Sequence, residues 1–393
     1  MTSNAHHKPS RSPFQFNPLE ISFCGLSGSG KTTLIEKLTP RWRSRGYHFA
    51  YVKHDAHRFE MDREGKDTQR IRKAGAACVH ISDPNHIAQI ESRQHPSLMP
   101  NPSLLSHDFV VIEGYKTLAV SKIAVLDESL GLLEQIPADQ HHHIIAFCGP
   151  FTQVPMTIQQ TFPLVPYFQR DQVEQIDQFV ESHLQSKIQS RPLNGLVLCG
   201  GKSQRMGQDK SFLQYEAGKS QVQRTAELLG SICESVFVSA RKEQTHSNPA
   251  YKDFQVLYDS FLDLGPLSGI FSAMRHDPRA AWLVVAIDLP FLDIEGVRQL
   301  VENRSGFTYA TAFRSSCQTR LEPLCTIYEP KAFSAMLSMF SVGINCPTKM
   351  LRNMRVHELS QAEASQLLVN ANTPDEYQQA KNLRGAQHES NVC

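Results

Sequence analysis

The apolar positions of this chain fall into short unbroken runs, separated by stretches with helical spacing. Leu19–Cys24 and Phe109–Ile112 are such runs in the first half, and Leu196–Cys199, Ser235–Ala240, Gln255–Tyr258 and Ala281–Ile287 are strand candidates in the second. A short apolar run bounded by turn residues predicts a strand buried on both faces, the pattern of a parallel sheet. Apolar residues after Thr33 continue the first run with helical spacing. Asp171–Gln189 places Val173, Ile176, Phe179, Val180, Leu184 and Ile188 on one helical face. Ser190–Asn194 interrupts that pattern, and a new strand is expected from Gly195. Gly265-Pro-Leu-Ser-Gly looks like a turn opening a helix. Strands alternating with helices predict an α/β protein built from doubly wound, mostly parallel sheets with helices on both faces. Ligands of such sheets sit at the carboxyl ends of the strands. Cys199–Gly201, Asp259 and Asp288 are expected at that edge.

Length turns this pattern into two domains, because 393 residues exceed one typical core. The expected division is a polar tail over 1–17, a first domain over 18–188, a linker over 189–193, a second domain over 194–385 and a frayed tail over 386–393. Hydrophobic residues make up 40% and charged residues 20%, as in a soluble globular protein. A formal net charge of +1 argues against a general nucleic-acid or anionic-membrane binder. No apolar run is long enough to span a bilayer, and Met1–Asn17 lacks the apolar core of a signal peptide. The nine cysteines are scattered without a C-x-x-C pair, which suits reduced thiols and a cytoplasmic location.

The first strand leads directly into Gly25-Leu-Ser-Gly-Ser-Gly-Lys-Thr, which fits G-x-x-x-x-G-K-[ST] between a strand and a helix. Gly25, Gly28 and Gly30 let backbone N–H groups, through Thr33, cradle phosphates at the helix N-terminus. Lys31 is placed to reach the β/γ-phosphates and the Thr32 hydroxyl to sit on Mg²⁺. The first domain is thus expected to be P-loop NTPase-like. Glu113, at the end of the second strand, is a candidate to support the same Mg²⁺. His54, Asp55 and His57 end another strand candidate that reaches toward this pocket.

In the second half, Leu196–Cys199 runs into Gly200 and Gly201, then into Lys202, Arg205, Gly207 and Lys210. A strand ending in glycines and cations is suited to holding a polyphosphate. Asp288 follows a seven-residue apolar run and is placed as a hard oxygen ligand for Mg²⁺. A helix N-cap is the competing role, since Asp-Leu-Pro also suits a cap. Thr373, Pro374 and Glu376 form a capping box that opens a helix but leaves Asn370 and Asn372 unexplained.

Leu198, Gly200, Gly201, Arg205, Met206, Gly207, Asp209 and Lys210 resemble, without a gap, the loop of the molybdenum cofactor guanylyltransferases. Asp288 with Pro290, and the Asn370–Glu376 segment, extend that resemblance. The first half resembles the molybdopterin-guanine dinucleotide biosynthesis adaptor proteins through Gly25–Thr32, Lys53–His57, Gly65–Thr68 and Glu113–Lys116, and this covers most of residues 19 to 185. The resemblance implies a Rossmann-like nucleotidyltransferase fold for the second domain. It implies transfer of GMP from GTP to molybdenum–molybdopterin, with Mg²⁺ as cofactor and pyrophosphate as by-product. Arg205, Lys210 and Asp288 are then the catalytic residues. Leu198, Cys199, Gly200, Gly201, Lys210, Ser239, Asp259 and Asp288 line the GTP site, and Asn370 and Asn372 line the pterin side. Some family members carry Asn where this chain has Ser239, and a hydroxyl reaches less far than an amide. For the first domain it implies GTP and Mg²⁺ binding with little hydrolysis. Transient contact of the protein with molybdoenzymes or upstream molybdenum-insertion proteins is expected. Two other readings stay open: a cytidylyl or sugar-phosphate nucleotidyltransferase of the same fold, and a GTP-dependent scaffold that delivers cofactor.

Overall fold

The computed structural model describes residues 19–53, 64–91, 102–199, 211, 213–215, 218–247, 251–261, 263–314, 320–360 and 367–390. The chain forms two compact units, one from Met1–Leu104 and Phe109–Gln178, the other from Leu105–Asp108 and Phe179–Cys393.

The first unit holds strands β1 (Glu20–Gly25), β2 (Phe49–Lys53), β3 (Cys78–Ser82), β4 (Ile87–Glu91), β5 (Phe109–Glu113), β6 (Lys122–Val125), β7 (Ile144–Gly149) and β8 (Tyr167–Gln169). Six of them form one sheet in the order β2-β5-β1-β6-β7-β8, and β3 and β4 pair separately. Every pairing in the six-stranded sheet is parallel. β1 and β5 are buried along their full length, which is why their sequences read as continuous apolar runs rather than alternating ones. The chain places β2 and β5 on one side of β1 and β6 to β8 on the other. The winding therefore reverses at the carboxyl end of β1, the position at which sheets of this kind bind ligands. Trp42, on the helix Lys31–Ser44, is buried edge-on against Phe49 and Phe109 at 5.0 and 5.4 Å. The same helix is tied to Asp177, whose buried carboxylate accepts from Arg41 at 2.8 Å and from Arg45 at 2.6 and 2.9 Å.

The second unit holds β9 (Leu193–Leu198), β10 (Ser235–Ala240), β11 (Gln255–Tyr258), β12 (Ala281–Ala286), β13 (Ala310–Arg314), β14 (Leu321–Tyr328) and β15 (Val356–Leu359). They form a seven-stranded sheet in the order β11-β10-β9-β12-β14-β13-β15. β14 runs antiparallel to β12 and β13, and the other neighbours are parallel. Alternate residues of β9 and β12 feed two separate cores. Val197, Leu283 and Val285 enter one, and Leu196, Leu198, Trp282 and Val284 the other. Each such side chain, fully buried, stabilises by roughly 1.5–3 kcal/mol relative to exposure. The winding again reverses at the first strand of the unit, here β9.

Strand ends differ slightly from the sequence pattern. β9 starts at Leu193, two residues before Gly195, because Leu193 itself pairs with Ala281. The helix Val173–Gln189 buries Ile176, Val180, Leu184 and Ile188 as its spacing predicts, while Val173 and Phe179 are only half-buried. The final helix runs Pro374–Ser390, into the stretch 386–393 expected to fray, since helix propagation needs backbone bonds and not apolar side chains. Among the described residues, no helix is long and apolar enough to cross a membrane.

Candidate functional site

In the first unit, the loop after β1 is shaped by glycines. Gly28 and Gly30 hold φ at 76° and 88°, in the left-handed region where a side chain is strained. Gly30 is the N-cap of the helix Lys31–Ser44, so the first N–H groups of that helix, Thr33 included, have no intrahelical partner. A Cβ on Gly25 would come within 2.4 Å of Ser29 Oγ and 2.5 Å of the Val125 carbonyl. Lys31 Nζ donates to the Leu26 carbonyl at 2.7 Å. Burial lowers its pKa, and Glu113 partly restores it.

Glu113 lies beside Lys53 and Phe23 in the sheet register, at the carboxyl edge. Thr32 Oγ1 is 3.0 and 2.9 Å from its two carboxylate oxygens. Tyr51 donates to Glu113 Oε2 at 2.6 Å, and Lys53 Nζ is 3.6 Å from Oε1. Burial, then the bond to Glu113, raises the Tyr51 pKa, so the phenol keeps its proton. The hydroxyl and carboxylate that the sequence proposed for Mg²⁺ are thus neighbours, and two adjacent hard oxygens fit such an ion. Tyr51 and Lys53 were missed as partners of Glu113. Only strand pairing between β2 and β5 reveals them. His54, Asp55 and His57 lie outside the described residues.

In the second unit, Leu198 pairs with Ser239 on one side and Ala286 on the other. The Cys199 N–H donates to the Ser239 carbonyl at 3.2 Å, and the Ile287 N–H to the Leu198 carbonyl at 3.4 Å. Ser239 Oγ donates to Asp259 Oδ1 at 2.7 Å. Burial raises the Asp259 pKa, opposed by the Ser239 hydrogen bond and the Arg241 charge. Gly269, on the helix Pro266–His276, packs directly on this spot. A Cβ there would sit 2.4 Å from Ser239 Oγ and 2.6 Å from Leu198 Cδ2.

Across β9, Asp288 is half-buried just past β12. It is not a helix cap. The cap of the following helix, Ile294–Glu302, is Asp293, whose Oδ1 accepts from the Gly296 N–H at 2.9 Å. The Asp288 carbonyl accepts from the Ala371 N–H at 2.9 Å, which fixes Asn370 and Asn372 beside it. The capping box is formed: Glu376 N–H donates to Thr373 Oγ1 at 3.3 Å, and Glu376 Oε2 accepts from the Thr373 and Asn372 N–H groups at 3.0 and 2.6 Å. Tyr215 and Tyr377 stack edge-on at 5.0 Å below this loop. Glu322 is a carboxylate that the sequence did not mark. The antiparallel register of β12 and β14 carries it to the same edge, and its pKa is raised by burial and further by the charge on Asp288. Asp288 with Glu322 nearby is a hard-oxygen environment that fits a divalent cation.

Gly200, Gly201, Arg205 and Lys210 lie outside the described residues. The chain leaves the edge at Cys199 and is described again from Ser211, whose hydroxyl is 2.6 Å from the Tyr251 hydroxyl. The edge therefore gathers Leu198, Cys199, Ser239 and Asp259 on one flank and Asp288, Asn370 and Asn372 on the other.

Comparison with known proteins matches two separate stretches of the chain to two different families. The family model for MobB, "Molybdopterin guanine dinucleotide synthesis protein B", matches residues 20–149, and the model for the "MobA-like NTP transferase domain" matches residues 195–355. A "Molybdenum cofactor biosynthesis bifunctional protein" of Synechocystis is 34% identical over 192 residues, covering 49% of this chain and 54% of that one. The match thus spans about half the length of that relative. A "Molybdopterin-guanine dinucleotide biosynthesis adapter protein" of Escherichia coli is 30% identical over 31% of this chain and 73% of its own. A "Probable molybdenum cofactor guanylyltransferase" of Clostridium perfringens is 31% identical over 46% of this chain and 92% of its own.

Proposed function

We propose a function from one premise: the chain belongs to the molybdenum cofactor biosynthesis family, its first half to the molybdopterin-guanine dinucleotide adapter proteins and its second half to the molybdenum cofactor guanylyltransferases. It is a bifunctional protein. The second unit transfers GMP from GTP to molybdenum–molybdopterin, and the first binds GTP as an adapter. The observation that carries this is the Ala371–Asp288 hydrogen bond, which draws the Asn370–Asn372 loop to the strand edge opposite Ser239 and Asp259. Two substrates can then meet between the flanks.

The nucleophile is the terminal phosphate monoester of the pterin. Its second pKa is about 6, so at pH 7 it is largely ionised and needs no general base. One of its oxygens forms a bond to the α-phosphorus of GTP. The bond from that phosphorus to the bridging oxygen breaks, and pyrophosphate departs with the electron pair. The task left to the protein is to bring anions together and stabilise the charge on the leaving group. Arg205 and Lys210 do so on the triphosphate. Backbone at Leu198, Cys199, Gly200 and Gly201, with Ser239 and Asp259, holds the nucleoside. Asn370 and Asn372 orient the pterin. Asp288 holds Mg²⁺, which when bound supplies charge neutralisation at the reacting phosphates. In the first unit, Gly25, Gly28, Gly30, Lys31, Thr32 and Thr33 hold GTP, and Thr32 and Glu113 support its Mg²⁺. The protein makes transient contact with molybdoenzymes or upstream molybdenum-insertion proteins.

The test offers GTP and CTP separately to purified protein with molybdenum-loaded molybdopterin, and quantifies dinucleotide and pyrophosphate. Guanine dinucleotide with equimolar pyrophosphate is expected. Product from CTP would keep the fold and chemistry but overturn the base assignment. No product with either nucleotide, despite tight GTP binding, would favour a delivery scaffold.

A further inference from the structure

The carboxyl edge of the first sheet carries a cation that no motif marks. Arg170 directly follows β8, and its N–H donates to the Gly149 carbonyl at 3.0 Å, at the end of β7. Its Nη2 donates to the Leu126 carbonyl at 2.7 Å, just past β6. The side chain thus runs back along the edge from β8 across β7 and β6. It ends against the phosphate loop: a Cβ on Gly30 would lie 3.7 Å from Arg170 Cδ and Nε and 3.8 Å from Cζ.

Packing alone leaves two features of this residue unexplained. Its Nε is buried and has no hydrogen-bond partner among the described residues. Its charge also has no carboxylate partner among them. The adjacent Asp171 is engaged by Lys37 at 3.1 Å, and Glu113 by Thr32, Tyr51 and Lys53. A partly buried guanidinium with one carbonyl for compensation is costly to maintain, and an anion beside it would offset that cost. The loop it touches is the one whose backbone geometry suits an anion.

We propose that Arg170 is a phosphate-contacting residue of the nucleotide site in the first unit. This rests on reading Gly25–Thr33 as a nucleotide-binding loop. The contact falls on the α- and β-phosphates, because the backbone around Gly30 cradles those groups while Lys31 extends toward the γ-phosphate. The sequence gives no hint of it, since Arg170 lies far from the loop in the chain and its approach depends on the order of β6, β7 and β8.

The test measures GDP and GTP binding to the full chain by calorimetry, with Lys31→Ala defining the component that belongs to the first unit. Arg170→Met is expected to weaken that component roughly ten- to hundredfold for both nucleotides, the loss of one charge-assisted hydrogen bond. Arg170→Lys should recover part of it, keeping the charge without the planar fork. The nucleotide-free melting temperature distinguishes a merely structural anchor, which would lower that temperature and leave affinity intact. Unchanged affinity in Arg170→Met, or weakening confined to GTP, overturns the assignment. If Lys31→Ala removes no binding at all, the nucleotide-site reading of this unit fails first, and Arg170 falls with it.

Discussion

Gly269→Ala tests the packing that sets the strand-edge geometry of the second unit. The added Cβ would lie 2.4 Å from Ser239 Oγ, 2.6 Å from Leu198 Cδ2 and 2.9 Å from Ser239 Cβ. Both neighbours are buried, Ser239 at 1% and Leu198 at 6% exposure, so neither has open space to move into. Overpacking of this kind costs about 1–3 kcal/mol, and three contacts below 3.0 Å put this site at the upper end. Alanine returns about 1 kcal/mol through its better helix propensity. The net destabilisation is about 2 kcal/mol, which lowers the melting temperature of a unit of this size by roughly 4–8 °C. The displacement acts on Ser239, which positions Asp259, so KM for GTP should rise more than kcat falls. Calorimetric melting and steady-state transfer kinetics read the two effects. Ser239→Ala in the same chain removes the closest contact, so the pair should be less destabilised than the sum of the single changes. A Gly269→Ala protein as stable as the parent with unchanged KM would refute the close approach and its link to the nucleotide site.

Three further outcomes follow from charged groups. Glu329 is fully buried and bound by Arg304 at 2.6 and 3.2 Å and by Arg191 at 3.3 Å. Glu329→Ala strands two cations and should cost about 3–5 kcal/mol in chemical denaturation of the second unit; an unchanged midpoint would contradict this. Asp177 is pushed upward by burial, but the Arg45 and Arg41 hydrogen bonds and charges outweigh that and hold its carboxyl below the usual range. Its stabilisation is therefore present above the unfolded carboxylate pKa of about 3.9 and lost as pH falls through the lower native value. Asp177→Asn should flatten the acid limb of melting temperature against pH. Asp259 has the opposite sign: burial raises its pKa, so its contribution is greatest below about 3.9 and is lost as pH rises through the native value. Asp259→Asn, which keeps an oxygen for Ser239, should raise the melting temperature at neutral pH, lose that advantage in acid, and weaken GTP binding.

The elements that position both candidate sites were legible because their signals are local. The runs Ser235–Ala240 and Gln255–Tyr258 are strands with those bounds, and the Thr373–Glu376 box caps its helix as its spacing requires. Asp288 carried two roles in the sequence, and the structure removes one by giving the cap to Asp293. What stayed hidden depends on which strands become neighbours. Glu322 reaches the Asp288 edge only because β14 is inserted antiparallel beside β12. Tyr51 meets Glu113 because β2 pairs with β5, and Arg170 meets Gly30 because β6, β7 and β8 stack outward from β1. Spacing along the chain does not encode these partner choices, since each joins segments tens of residues apart.

The most direct test of the central claim follows a radiolabel on the α-phosphate of GTP, with molybdenum-loaded molybdopterin and Mg²⁺, in the parent chain, Asp288→Ala and Lys31→Ala. The label should appear in the guanine dinucleotide in the parent, be lost from it in Asp288→Ala, and be reduced but present in Lys31→Ala. Full transfer in Asp288→Ala, or transfer abolished by Lys31→Ala alone, would contradict a transferase housed in the second unit and assisted by the first.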